Sequence, residues 1–237
     1  LSSAAAERAS SGAAAAPDAV SAAAERGEEE AVLAWLDSGG RADATYERGG
    51  VSGVTLLMGA AFNGHERVVE LLLQHGAEIN LQRSDGWTAL VIAASNGRER
   101  LVELLMQHGA EVNLQDSDGA TALMNAANEG HERVVDLLIR HGAEINLQDS
   151  DGVTALMYAA LFNHPAVVRR LLRAGADTAA RAENGKTALQ LAKEKGHAEC
   201  VKVLAEAAAA ADGRAGAGGA SSGAAAAAVD APLLGPR

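Results

Sequence analysis

The chain has 237 residues, enough for one or two domains, of which 48% are hydrophobic and only 3% aromatic. Such a core is built from Leu, Val, Ile and Ala and suits thin, closely stacked helices. A formal net charge of −11 disfavours phosphate backbones and anionic membranes as partners, and no apolar run approaches the roughly 18–20 residues of a membrane span.

Residues 1–16 are Ala- and Ser-rich with almost no large apolar side chains, and they read as a disordered tail in preference to a transit peptide. The first residue is Leu1, not Met, as in a processed form or a piece of a longer protein. Order is expected to begin near Pro17-Asp18. From Ala19, the stretch AVSAAAERGEEEAVLAWLDSGG lies over ALMNAANEGHERVVDLLIRHGA, which begins 103 residues later. Gly27 then matches Gly130, Val32 matches Val135, and Trp35-Leu36 match Leu138-Ile139. This is a degenerate copy of a later unit, as expected of a terminal repeat with one uncovered face. The connection from Asp43 to Gly53 spans ten residues where Asn80 to Gly86 spans six, and its glycines predict a loop.

Beyond it the chain repeats. Thr55, Thr88, Thr121, Thr154 and Thr187 are each 33 residues apart, and so are Gly53, Gly86, Gly119, Gly152 and Gly185. A fixed period of this size means a stacked array. In the clearest unit, Ser117-Asp118-Gly119 is turn chemistry, and Thr121 stands where its hydroxyl can cap a helix. A short helix is predicted over Ala122–Asn128, with Ala126 and Ala127 permitting close approach of the next unit. Gly130 breaks it. A second helix is predicted near His131–His141, with Val134, Val135, Leu137, Leu138 and Ile139 on a broad apolar face, and Gly142 ends it. The last unit, TALQLAKEKGHAECVKVLAEAA, reads as a polar C-terminal cap, and residues 212–237 as a second disordered Ala/Gly-rich tail.

These motifs resemble the ankyrin-repeat family: D-x-x-G-x-T before a small-residue helix, Gly-His at Gly64-His65 and Gly130-His131, then V-V-x-L-L. The series closes on G-A-x-[IV]-N at Gly76–Asn80, Gly109–Asn113 and Gly142–Asn146. The resemblance covers residues 17–211 as six repeats, near 17–49, 50–82, 83–115, 116–148, 149–181 and 182–211, with degenerate first and last caps. It implies an all-α solenoid of stacked helix-turn-helix units joined by short hairpin loops. The family's T-P-L-H has lost its Pro and His, as in Thr121-Ala-Leu-Met124, which should lower stability without threatening the fold. Asn163-His164-Pro165 replaces Gly-His compatibly, since Asn tolerates a left-handed backbone and Pro a first helical turn.

No catalytic arrangement stands out, and the reading is of a chain that is not an enzyme and needs no cofactor. The histidines recur at 33, one repeat apart, too far to share a metal, and His197 with Cys200 supplies only two ligands. Asp116-Ser-Asp118-Gly119 echoes the opening of a calcium loop, but the twelfth position is Ala127 where a bidentate Glu is needed. Cys200 is the only cysteine and can make no internal disulfide, which fits a cytoplasmic location, with the nucleus as the alternative.

The resemblance implies a concave partner-binding face made from hairpin tips and first helices. Unit by unit, this places Ser84, Asp85 and Trp87 at one tip, Gln115, Ser117 and Asp118 at the next, and Ser150, Asp151 and Val153 at the third. The ends of the first helices add Phe62, Asn96, Asn128, Glu129, Leu161 and Phe162. Trp87 is the sharpest candidate, because Val54, Ala120, Val153 and Lys186 hold its place elsewhere. The acidic tips suit a protein partner with a basic or mixed polar surface, bound by a monomer without nucleic acid or membrane. The resemblance also marks Asn80, Asn113 and Asn146 as candidate hydroxylation sites, though hydrogen bonds tying loop to loop are their stronger role. The expected function is a non-catalytic protein-interaction module or scaffold. The alternative is the substrate-recruiting or targeting arm of a larger enzyme such as a ubiquitin ligase or kinase.

Overall fold

A computed structural model describes residues 15–217, with side chains to residue 210. Among these residues twelve helices stack as pairs: α1 (Asp18–Arg26) with α2 (Glu29–Asp37), α3 (Leu56–Asn63) with α4 (Glu66–Gln74), and α5 (Ala89–Ser95) with α6 (Glu99–Gln107). Then follow α7 (Ala122–Glu129) with α8 (Glu132–Arg140), α9 (Ala155–Leu161) with α10 (Pro165–Arg173), and α11 (Ala188–Lys195) with α12 (Ala198–Ala217). The last helix thus runs beyond residue 211, where the repeats were expected to end.

The local reasons are repeated with the sequence. In each unit from the second to the sixth a threonine caps the first helix, as where the Thr121 hydroxyl accepts from the Met124 amide. In the last unit Gln190, in the place of the missing histidine, completes a capping box by accepting from the Thr187 amide at 2.9 Å. Gly130 closes α7 with a left-handed backbone, and Asn163 takes the same role after α9 at φ 61°.

First helices pack on first helices and second on second, giving two layers with the core between them. The first helices approach one another more closely, because pairs such as Ala93/Ala94, Ala126/Ala127 and Ala159/Ala160 lie fully buried at their contacts. The side formed by the first helices and hairpin tips is termed the inner side. Val134, Val135 and Leu138 are fully buried beneath α8, and burying a side chain such as Leu138 contributes about 1.5–3 kcal/mol.

The stretch expected to be a loop between Asp43 and Gly53 is an antiparallel hairpin of β1 (Thr45–Arg48) and β2 (Val51–Thr55), with a bulge between Tyr46 and Arg48. Gly49 and Gly50 turn it, at φ 58° and 82°, as a two-residue connection of this twist demands. Gly-Gly between Tyr46 and Val54 is the signal for a hairpin, where glycine content alone suggests only irregular chain. The residue before Pro17 is also part of the fold: Ala16 is buried and its amide donates to the Thr45 carbonyl at 2.8 Å. Of the tails expected over residues 1–16 and 212–237, residues 1–14 and 218–237 lie outside the described residues, while 212–217 continue α12.

Candidate functional site

The hairpin tips form one continuous ladder along the stack. Backbone amides of Ser84, Ser117, Ser150 and Glu183 each donate to a carbonyl one repeat back, on Ser52, Asp85, Asp118 and Asp151, at 2.8–3.0 Å. Gln82, Gln115 and Gln148 reinforce it: each Nε2 bonds the glycine carbonyl of its own turn and a carbonyl of the next. The asparagines do the same lower down. Asn113 Oδ1 accepts from the Glu144 amide at 2.9 Å, and Asn80 and Asn146 serve Glu111 and Asp177 alike. Asp43 plays this part for the Glu78 amide in the first repeat. Gln115 is thus a structural tie as well as a tip residue, and the candidate hydroxylation sites have their amides engaged between loops.

The histidines are ties too. Nε2 of His65, His131, His164 and His197 bonds a backbone carbonyl of the preceding repeat, on Glu25, Ser95, Asn128 and Leu161. Each ring lies against the backbone, so a β-carbon on Gly130 would come within 2.4 Å of His164. Arg98 takes the place of the histidine in the third unit and reaches the Phe62 carbonyl. The turn acids face inwards to backbone: Asp116 Oδ1 accepts from the Asp118 and Ala120 amides at 3.0 and 2.8 Å, and Asp149 repeats the arrangement. Among the described residues no group of three His, Cys, Asp or Glu side chains is placed to hold a metal.

The predicted partner residues fall into two rows. At the tips, Ser84, Ser117, Asp118, Ser150 and Asp151 are exposed and Val153 is half-buried. Trp87 is half-buried as well, its ring covered by the Arg83 guanidinium at 4.9 Å. Arg83 also binds both oxygens of Asp85, at 2.8 and 2.9 Å. Burial would push the Asp85 carboxyl up, but Arg83 and the Trp87 amide together hold it below the ordinary carboxylate range. At the helix ends, Phe162 is 50% exposed, Leu161, Asn96 and Asn128 are half-buried, and Glu129 is exposed and accepts from Asn128. Phe62 is 41% exposed, but Arg48 from the β1–β2 hairpin stacks over it at 4.6 Å.

That hairpin occupies the inner face of the first two repeats. The Tyr46 hydroxyl donates to Glu25 at 2.9 Å and crowds Gly59, where a β-carbon would lie 2.2 Å from it. Burial first, then the Glu25 hydrogen bond, pushes the Tyr46 hydroxyl well above its usual range. Open inner face therefore begins beyond the second repeat. Two of its residues escaped the sequence reading: Asn125 and Tyr158, both half-buried midway along α7 and α9. The signal was available for Tyr158, which stands at i−3 and i−4 from Leu161 and Phe162.

Comparison with family models matches residues 20–116 and 101–182 to the description "Ankyrin repeats (3 copies)" and residues 184–212 to "Ankyrin repeat". A search of curated proteins found no match. With its matches running through almost the whole stack, and with paired helices tied loop to loop, the chain belongs to the ankyrin-repeat family.

Proposed function

We propose that this chain is a non-catalytic binding module that presents its inner face, beyond the β1–β2 hairpin, to a protein partner. Ankyrin repeats are generally protein–protein interaction modules. The observation that carries the finer reading is a division of labour within the repeats. Positions that return letter for letter, such as Gln82, Gln115 and Gln148, hold one loop to the next. Positions midway along the first helices differ from unit to unit: one equivalent place holds Gly59 and Ile92, both buried, and Asn125 and Tyr158, both half-buried and facing inwards. A scaffold that repeats while its inner surface varies is suited to recognition by shape and charge, with little reorganisation on binding. The acidic balance favours a basic or mixed polar protein over nucleic acid, and no helix among the described residues is long and apolar enough to cross a membrane. We place the module, as a monomer, in the cytoplasm, where the buried free thiol of Cys200 stays reduced.

Photo-crosslinking amino acids placed singly at Asn125 and Ser95 on the inner side, and at Glu103 and Arg140 on the second helices, test this in cell extract. Crosslinks to one protein from the inner positions alone are expected. Crosslinks from Glu103 or Arg140 alone would move the site to the outer layer and overturn the reading.

A further inference from the structure

One inner helix departs from its neighbours. Along α9 and its C-cap, Tyr158, Leu161 and Phe162 stand at i, i+3 and i+4 and so share one face. None is closed off: the first two are half-buried and Phe162 is 50% exposed. The same places hold Asn125, Asn128 and Glu129 in α7. Because α7 caps, stacks and buries its alanines with polar residues at all three, packing does not require the apolar ones in α9. Tyr158 and Leu161 rest on the core with part of each side chain uncovered, and with the exposed Phe162 they leave a contiguous apolar strip of the kind that marks a contact surface.

The upper end of the strip is acidic. The Tyr158 hydroxyl donates to Asp149 Oδ2 at 2.6 Å. Its pKa is raised by burial first, then by Asp149, with Asp151 and Asp116 near enough to add to the effect. Among the described residues none of Asp116, Asp118, Asp149 and Asp151 has a cationic partner. The tip before them differs, since Arg83 neutralises Asp85. The protein also contains an internal example of what satisfies such a combination. Arg48 lies 4.6 Å from the centre of the Phe62 ring and 3.4 Å from Glu25 Oε1, a cation held between an aromatic face and a carboxylate.

We propose that the α9 strip and the acidic tips above it dock an extended segment of a protein partner that carries one cationic and one large apolar side chain. The cation sits among Asp116, Asp149 and Asp151 beside the Tyr158 ring, and the apolar side chain covers Leu161 and Phe162. The seven residues of α9 rise about 10 Å, so the two side chains lie roughly three residues apart in an extended chain. This rests on the inner-face reading above and names the kind of partner it takes.

The test is a phage library of random twelve-residue peptides selected on the immobilised full chain, followed by fluorescence polarisation with the enriched peptides. Enrichment of Lys or Arg two to four residues from Leu, Ile, Phe or Trp is expected, with affinity falling as salt rises. A triple variant, Tyr158→Asn, Leu161→Asn and Phe162→Glu, gives α9 the residues that α7 already folds with, and circular dichroism checks its fold. It should weaken binding about tenfold or more. Asp151→Asn, at the exposed member of the cation site, should weaken it about two- to tenfold and flatten the salt dependence. Failure to enrich any peptide, enrichment of acidic ones, or unchanged binding by the triple variant overturns the proposal. Where the triple variant binds normally while crosslinks still arise from Asn125, this proposal falls and the inner-face reading stands. Crosslinks from the outer positions alone remove both.

Discussion

Replacing Gly86 with alanine should destabilise the stack well beyond the same change at Gly185, although the two occupy the same place in their repeats. Both have left-handed backbones, at φ 85° and 76°, so each substitution carries about 1–2 kcal/mol of backbone strain. They differ in what the new methyl group meets. At Gly86 it would lie 2.6 Å from the Ser117 amide nitrogen and 2.7 Å from the Asp116 α-carbon, whereas at Gly185 nothing is within 4 Å. The neighbour at Gly86 is backbone and cannot rotate away. Relief requires the next hairpin to move outwards, straining the Ser117–Asp85 backbone bond and the Gln82–Gln115 tie at 3.0 and 2.9 Å. Overpacking of this kind costs about 1–3 kcal/mol, giving a total near 2–5 kcal/mol for Gly86→Ala against about 1–2 kcal/mol for Gly185→Ala. Gly119 and Gly152, with nearest contacts of 3.0 and 3.1 Å, should fall between. Urea unfolding followed by far-ultraviolet circular dichroism measures the series, and unchanged m-values show that the same cooperative unit is reported. Equal losses at Gly86 and Gly185 would refute the claim that close stacking, and not only backbone angle, selects glycine here.

The same method reads a sign reversal under the β1–β2 hairpin. Gly59→Ala should destabilise the native chain, because its methyl group would strike the Tyr46 hydroxyl, yet in a Tyr46→Phe background it should stabilise by about 0.5–1 kcal/mol through helix propensity; a loss in both backgrounds would mean that another contact selects Gly59. Asn113→Ala should cost about 0.5–1.5 kcal/mol by orphaning the Glu144 amide, and Asn113→Asp less, because it keeps the accepting oxygen that Asp43 already offers Glu78. Equal losses for the two Asn113 variants in urea titrations would show that the amide tie is not what matters. The Arg83–Asp85 pair holds the Asp85 pKa down in the folded state, so its stabilisation is present above roughly pH 4, the unfolded value, and is lost as pH falls through the folded one. Arg83→Gln should therefore lower stability at pH 7 by the modest amount of a partly exposed pair, about 0.2–1 kcal/mol, seen as a lower thermal midpoint. Melts from neutral to acid should show the gap narrowing towards what the Arg83–Trp87 stacking leaves; a gap that widens in acid contradicts the assignment.

Much of the fold was legible because each repeat restates its local rules. Thr121 before a small-residue helix, Gly130 at the break, and the buried Val134-Val135 pair each belong to one short segment, so turn chemistry and helical spacing suffice to read them. The tips were legible in place but not in state. Trp87 is open or covered according to a side chain four residues away, and Arg83 covers it. Gln115 looked like a free polar tip until the carbonyl of Gln148, one repeat on, proved to be its partner.

The sequence by itself determined the period, the helix pairs, the capping threonines and the family, because those depend on contacts within a few residues or on the same contact made again in every unit. Only the tertiary structure decided how much inner face is open. The hairpin at Tyr46–Arg48 lies across Glu25, Gly59 and Phe62, residues from two helices that no local pattern links to it. Likewise Tyr158, Leu161 and Phe162 form one strip only once α9 is turned with Ala159 and Ala160 into the stack, which leaves that face uncovered below the acids of two separate tips. Backbone geometry is a local property and repeats with the letters. Exposure is set by whatever else the chain brings alongside.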